Sequence, residues 1–174
     1  MNNLSFNLIV THEPSYANYK WALDQLKSIL EKFNIVDVSQ SRVLLRVSDP
    51  YEAVEKIVEK LPKDTPILRV IPVDIVIEPY VEDVAEIVWK YYTKIPPNAT
   101  FRITLEGRHL YWRNNKIAHT DEAIRYIASK INRKVDLRNY EWEIYIRVLK
   151  IHKHVEVASI TIAPAKYIFS KAKR

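Results

Sequence analysis

An α+β fold in two successive units is the class this sequence predicts, and three observations predict it. Short apolar strands alternate with segments of helical period, in the order strand, helix, strand, strand, helix, strand and then helix, strand, helix, strand, strand. At 174 residues and 48% hydrophobic content the chain is long enough to bury one or two ordinary cores. The charge is divided unevenly, because Met1 to Glu78 carries 9 basic and 11 acidic residues, net −2, whereas Pro79 to Arg174 carries 18 and 10, net +8.

The first half opens with a strand, Ser5 to Thr11, and a break at His12-Glu13-Pro14. A long helix follows from near Ser15, its apolar face being Tyr19, Ala22, Leu23, Leu26, Ile29, Leu30 and Phe33. Ile35 to Val38 and Val43 to Val47 read as strands joined by the turn Ser39-Gln40-Ser41. Asp49-Pro50-Tyr51-Glu52 then has the form of a capping box with proline at the first helical position, and Val54, Ile57, Val58 and Leu61 give that helix its core face. Ile67 to Ile77 is extended, interrupted by Pro72, which has no N–H for a central ladder. This order is the split βαβ pattern of a ferredoxin-like domain, placed at 1–78. His12 and Glu13 lie side by side at a strand end without a third partner and read as loop decoration.

The second unit, 79–174, begins with a helix after Pro79 on Val84, Ile87, Val88 and Tyr91, ended by Ile95-Pro96-Pro97. Phe101 to Glu106 alternates strictly, which assigns Phe101, Ile103 and Leu105 to a dry sheet face and Arg102, Thr104 and Glu106 to a wet one. A basic connection, Gly107 to His119, leads to a helix over Thr120 to Ile131, with Ile124, Ile127, Ala128 and Ile131 inward and Arg125, Ser129, Lys130 and Arg133 outward. Thr120 or Asp121 is placed to cap it, and its free N–H groups suit a phosphate. Asp136 and Asn139 fit a turn closed by side-chain to backbone bonds, and the tail Lys166, Lys171, Lys173 and Arg174 reads as a loose basic end.

Composition removes several function classes. A single glycine rules out the phosphate-cradling loops of P-loop and dinucleotide enzymes, and the absence of cysteine rules out disulfide, thiolate-zinc and cysteine-nucleophile chemistry. His152 and His154 lack a third ligand, so no metal and no cofactor is expected. No apolar run approaches a membrane span and no signal-type leader is seen, which reads as cytoplasmic.

What remains is a basic surface for a polyanion. In the connection, Arg108, His109, Tyr111, Trp112, Arg113 and Lys116 interleave cations with aromatic rings, the combination that stacks unpaired bases while holding phosphates. The competing reading is a loop whose Tyr111 and Trp112 anchor it to the core. The RNA-binding candidates are Arg102, Arg108, His109, Arg113, Lys116, Thr120, Arg125 and Arg147, the last opposite Ile146 and Val148 on a closing strand.

The helix after Pro79, the strand Phe101 to Leu105, Arg108 at its end, Ile124 to Ile131, Val135-Asp136-Leu137 with Asn139, and the strands Ile144 to Val148 and Val155 to Ile160 together resemble a THUMP domain. Preceded by a ferredoxin-like unit, this is the pair found in several tRNA-modifying enzymes. In the thiolases, methyltransferases and pseudouridine synthases that carry it, a catalytic domain adjoins it, and none fits between Met1 and Arg174. The whole is most similar to the stand-alone THUMP adaptor of 4-acetylcytidine formation. That resemblance implies a non-enzymatic protein that binds the acceptor region and 3' end of tRNA and presents it to a separate acetyltransferase. The alternative is a ferredoxin-like ligand-sensing or protein-interaction module with an incidental basic surface.

Overall fold

Two five-stranded sheets organise the protein in a computed structural model that describes residues 5–174. The first unit contains β1 (Leu8–His12), α1 (Tyr16–Leu30), β2 (Asn34–Ser39), β3 (Arg42–Arg46), α2 (Pro50–Lys60) and β4 (Ile67–Pro72). Its strands run antiparallel in the order β4-β1-β3-β2, the ferredoxin-like arrangement the element order predicts. Ala22, Leu26 and Ile29 of α1 and Ala53, Val54 and Ile57 of α2 close over Leu8, Val10, Val43, Leu45 and Val70 on one sheet face. Ser15 caps α1 by accepting from the N–H of Asn18, and the Asp49 carboxylate caps α2 by accepting from Tyr51 and Glu52 N–H. His12 is not loop decoration. It ends β1 fully buried, with Nδ1 2.8 Å from the Glu13 carbonyl oxygen.

The second unit contains β5 (Ile75–Ile77), α3 (Val81–Tyr91), β6 (Thr100–Gly107), α4 (Thr120–Ala128), β7 (Lys134–Val135), β8 (Trp142–Ile151) and β9 (Val155–Pro164). The sheet order is β5-β9-β8-β6-β7, with β6 parallel to both β7 and β8 and the other pairs antiparallel. The α4 crossover makes those parallel pairs possible, since a short turn cannot return the chain to the same edge. Phe101, Ile103, Ile144, Ile146, Ile160 and Ile162 pack beneath Val84, Val88, Ala123 and Ile127.

The boundary and the tail differ from expectation. The extended run Ile67 to Ile77 breaks at Val73-Asp74 into strands of two different sheets, so the units are residues to Val73 together with Lys166–Arg174, and Asp74–Ala165, instead of 1–78 and 79–174. The tail is not loose. Phe169–Ser170 forms β10 on the outer side of β4, Tyr167 donates to Glu55 at 2.9 Å, and Lys171 donates to the Thr65 carbonyl at 2.7 Å. Moving those tail cations to the first unit removes the charge asymmetry: the observed units carry 13 basic and 9 acidic, and 14 basic and 12 acidic residues.

The wet sheet face is a second correction. Tyr145, Ser159 and Thr161 are fully buried and Glu143 nearly so, although the alternation that places them is polar. Their polar atoms are satisfied along the sheet: Thr104 donates to Glu143 at 2.5 Å, Tyr145 to Glu106 at 2.6 Å, and Arg147 to the Tyr145 hydroxyl at 3.0 Å. Alternation separates polar from apolar faces, and a hydrogen-bonded network lets the polar one be buried.

Candidate nucleic-acid interface

β6 gives the second unit two ends, about 23 Å apart for eight extended residues. At its finish, Gly107 pairs with Val148 and opens the basic connection, and α3 and α4 begin here. At its start, Thr100 and Phe101 pair with Lys134 and Val135 of β7, and α3 and α4 finish here.

The connection is built as an anchored loop. Gly107 holds φ +88°, and a Cβ there would lie 2.3 Å from the Val148 carbonyl oxygen, so backbone conformation and space both demand glycine. Leu110 is buried, Tyr111 bridges to the backbone of Tyr80 and Ile117, and Trp112 meets the Tyr126 ring edge-on at 5.5 Å. The rings therefore serve as anchors. The cations beside them are occupied as well: Arg108 donates Nε to Glu156 at 2.7 Å, and Arg113 pairs with Asp83 while its N–H bonds the Glu82 carboxylate at 3.0 Å. Negative charge on Glu156 raises the Tyr111 hydroxyl pKa, with desolvation and their hydrogen bond adding to it, and the hydrogen bond and charge of Asp83 raise that of Arg113.

His109, Lys116 and Thr120 are exposed at this same end. α4 starts at Thr120 after His119, without the side-chain cap expected from Thr120 or Asp121. Asp121 and Glu122 occupy its first turn, where their charges already answer the helix dipole and oppose a phosphate. Arg147 belongs to the buried polar face, 3.6 Å from Glu106 and bonded to Tyr145, with its Nε enclosed and unpartnered.

The start of β6 is organised differently. Lys130 stands 4.3 Å over the Trp89 ring, Arg133 lies 5.2 Å over Tyr92, and Arg102 lies 5.6 Å over Tyr140. Arg133 is further fixed by donating to the Ile95 carbonyl at 2.8 Å, and Trp89 by donating Nε1 to Ile127 at 2.8 Å. Arg125, Lys130, Lys134 and Arg138 are exposed and form no ion pair among the described residues. The nearby carboxylates are engaged by backbone: Asp136 accepts from Asn139 and Arg138 N–H at 2.9 and 3.0 Å, and Glu141 from Thr100 N–H at 3.0 Å. Those bonds, Asn139 first, lower the Asp136 pKa and show the turn role expected of this residue. Val135 and Leu137 are exposed between the cations.

Of the sequence candidates, the structure gathers Arg108, His109, Arg113, Lys116 and Thr120 at one end of β6, places Arg102 at the other and Arg125 on the exposed side of α4, and draws Arg147 into the buried network. Sequence reasoning missed Lys134, Arg138, Tyr92 and Tyr140. The run from Arg125 to Arg138, with five cations against Asp136 alone, could have revealed the first two. The rings of Tyr92 and Tyr140 come from the turn after α3 and from beyond β7 and have no local signal.

No protein-family model matches the chain, and no curated protein matches it in sequence. Solved structures match in fold. PH1313 from Pyrococcus horikoshii superposes with a TM-score of 0.64 at 15% identity, covering 91% of this chain and 55% of that one. A 4-thiouridine synthetase solved as an RNA complex with bound ATP gives 0.53 at 14% identity, covering 92% and 42%. TrmN from Thermus thermophilus gives 0.56 at 13% identity, covering 90% and 46%. The chain spans about half the length of these proteins. Its fold is a ferredoxin-like domain joined to a THUMP-type α/β domain.

Proposed function

We propose that this protein is a tRNA-binding module that presents tRNA to a separate modification enzyme and does not itself catalyse the change. One observation carries the reading: the cations at the start of β6 form no ion pair among the described residues, Lys130 exposed and Arg102 and Arg133 half-buried over aromatic rings, while the carboxylates among them are held by backbone N–H groups. Such a surface attracts phosphates, and its rigid rings keep the cations from losing side-chain freedom on binding. The likeness in fold to a 4-thiouridine synthetase captured with RNA supports the same class of ligand. The finer reading is an adaptor that recognises the acceptor region and 3' end of tRNA and works in the cytoplasm with an acetyltransferase forming 4-acetylcytidine. No helix among the described residues is long and apolar enough to cross a membrane.

Titration of the full chain with tRNA at two salt concentrations tests the binding. Affinity should fall at least tenfold between about 50 and 200 mM salt. Absent or salt-insensitive binding would overturn the reading in favour of a ligand-sensing or protein-interaction module. Incubation with acetyl-CoA, ATP and tRNA should give no 4-acetylcytidine until the acetyltransferase is added, and product without it would overturn the adaptor role.

A further inference from the structure

We propose that the recess bounded by Glu78, Pro79, Tyr80, Tyr111, Asn115 and Glu156 is a site for an unpaired nucleobase that carries an exocyclic amino group. It lies within the second unit, at the connection end of β6, and the proposal rests on the RNA-binding reading above. The recess holds about 320 Å³, enough for one base. Tyr111 N–H donates to the Pro79 carbonyl and Val81 N–H to the Tyr111 carbonyl, both at 2.9 Å, which sets Tyr80 and Tyr111 side by side. Two phenol rings then offer flat apolar surface of the kind on which bases stack.

The polar groups divide by whether they are already engaged. Both oxygens of Glu156 are taken, by Arg108 at 2.7 Å and by the Tyr111 hydroxyl at 3.2 Å. The Tyr80 hydroxyl donates to Asn115 Oδ1 at 3.3 Å, which orients the amide and leaves its Nδ2 hydrogens without a partner among the described residues. Asn115 holds φ +70° in a turn closed by its own N–H to the Trp112 carbonyl at 2.7 Å and by Trp112 N–H to the Lys116 carbonyl at 2.8 Å. Glu78 is exposed, and its carboxylate makes no hydrogen bond or ion pair among the described residues. The recess is thus lined by one free acceptor, one free donor amide and two phenol rings.

That set excludes a phosphate, which two carboxylates repel, and fits the edge of a base. Cytosine, adenine and guanine each place N–H donors beside an acceptor atom, matching a carboxylate beside a carboxamide. Uracil has no amino group: its one edge donor, N3–H, is flanked by carbonyl oxygens on both sides, so a carboxylate that accepts from it also faces a carbonyl oxygen, and uracil is held less well.

The test is fluorescence anisotropy of the full chain with short single-stranded oligonucleotides of cytidine, adenosine or uridine. Cytidine and adenosine should bind about tenfold tighter than uridine. Glu78→Ala and Asn115→Gly, the latter chosen because glycine accepts the positive φ, should collapse that preference, with melting temperature and salt dependence unchanged. Equal binding of all three, or a preference that both variants keep, would overturn the recess and leave the RNA reading standing. Binding to no oligonucleotide and to no tRNA would remove both. Spermine bound more tightly than any oligonucleotide, and lost in Glu78→Ala, would reassign the recess to an amine.

Discussion

The two ends of β6 both carry arginine and lysine, and they use them in opposite ways. At the connection, Arg108 and Arg113 are tied to Glu156 and Asp83, from positions 48 and 30 residues distant, and the neighbouring rings hold the loop to the core. At the start of β6, Lys130, Arg133 and Arg102 lie over rings, and the side chains of Lys134 and Arg138 form no ion pair among the described residues. A surface pair of the first kind contributes little to stability, roughly 0 to 1 kcal/mol, yet it neutralises the charge a polyanion would meet. Cationic residues thus stay available to a polyanion only when their tertiary neighbours leave them unpaired.

The largest effect separating the ends should come from Gly107. Gly107→Ala forces a Cβ into the Val148 carbonyl at a left-handed φ, and strain of this kind costs about 1 to 3 kcal/mol or more. The melting temperature should drop by several degrees, on the order of 2 to 4 °C per kcal/mol at this size. Thermal denaturation followed by circular dichroism checks it, and at temperatures where the variant remains folded its tRNA affinity should stay close to the parent's. A folded variant that lost the salt-dependent part of its tRNA affinity would place the phosphate contacts at the connection.

Much of the fold is legible in the amino-acid order alone. Apolar period and the caps at Ser15 and Asp49 reveal the ferredoxin-like arrangement, because those signals are local. The boundary is not legible, since Pro72 has the look of an interruption within one strand, whereas β4 and β5 belong to different sheets. Nothing near Phe169 signals that it pairs with Val70 of β4, and without that pairing the tail reads as loose and the charge asymmetry as real. The basic connection is visible in the amino-acid order and its pairing is not, for the same reason. Interleaved cations and aromatics at Arg108 to Lys116 are visible in order, but Glu156, Asp83 and Tyr126, which occupy them, are distant in sequence.

A smaller effect sharpens the contrast. Glu156→Gln keeps the shape beside Arg108 and Tyr111 while removing the charge that neutralises the guanidinium, so tRNA affinity at low salt should rise about two- to threefold. An unchanged affinity in a filter-binding assay would place Arg108 outside the reach of RNA.

The smallest effect concerns the turn that shapes the other end. Asp136 has its pKa lowered by the N–H groups of Asn139 and Arg138, so the ionised form is favoured in the folded state. The stability it adds is present above the ordinary carboxylate range, near pH 4, and is lost as pH falls toward the lowered value. Asp136→Ala should therefore reduce the melting temperature slightly at neutral pH, with the gap closing below about pH 4. A gap that widened on acidification would contradict this account of the turn.

The salt dependence of tRNA binding decides between the ends most directly. Its slope counts the phosphates neutralised, at about 0.9 per contact on a duplex. With Lys130, Lys134 and Arg138 all changed to alanine, the slope should become shallower by about three, while Arg108→Ala with Arg113→Ala should leave it nearly unchanged. A slope lost in the second variant and retained in the first would contradict the account, because the paired cations of the connection would then be the ones that meet the phosphates.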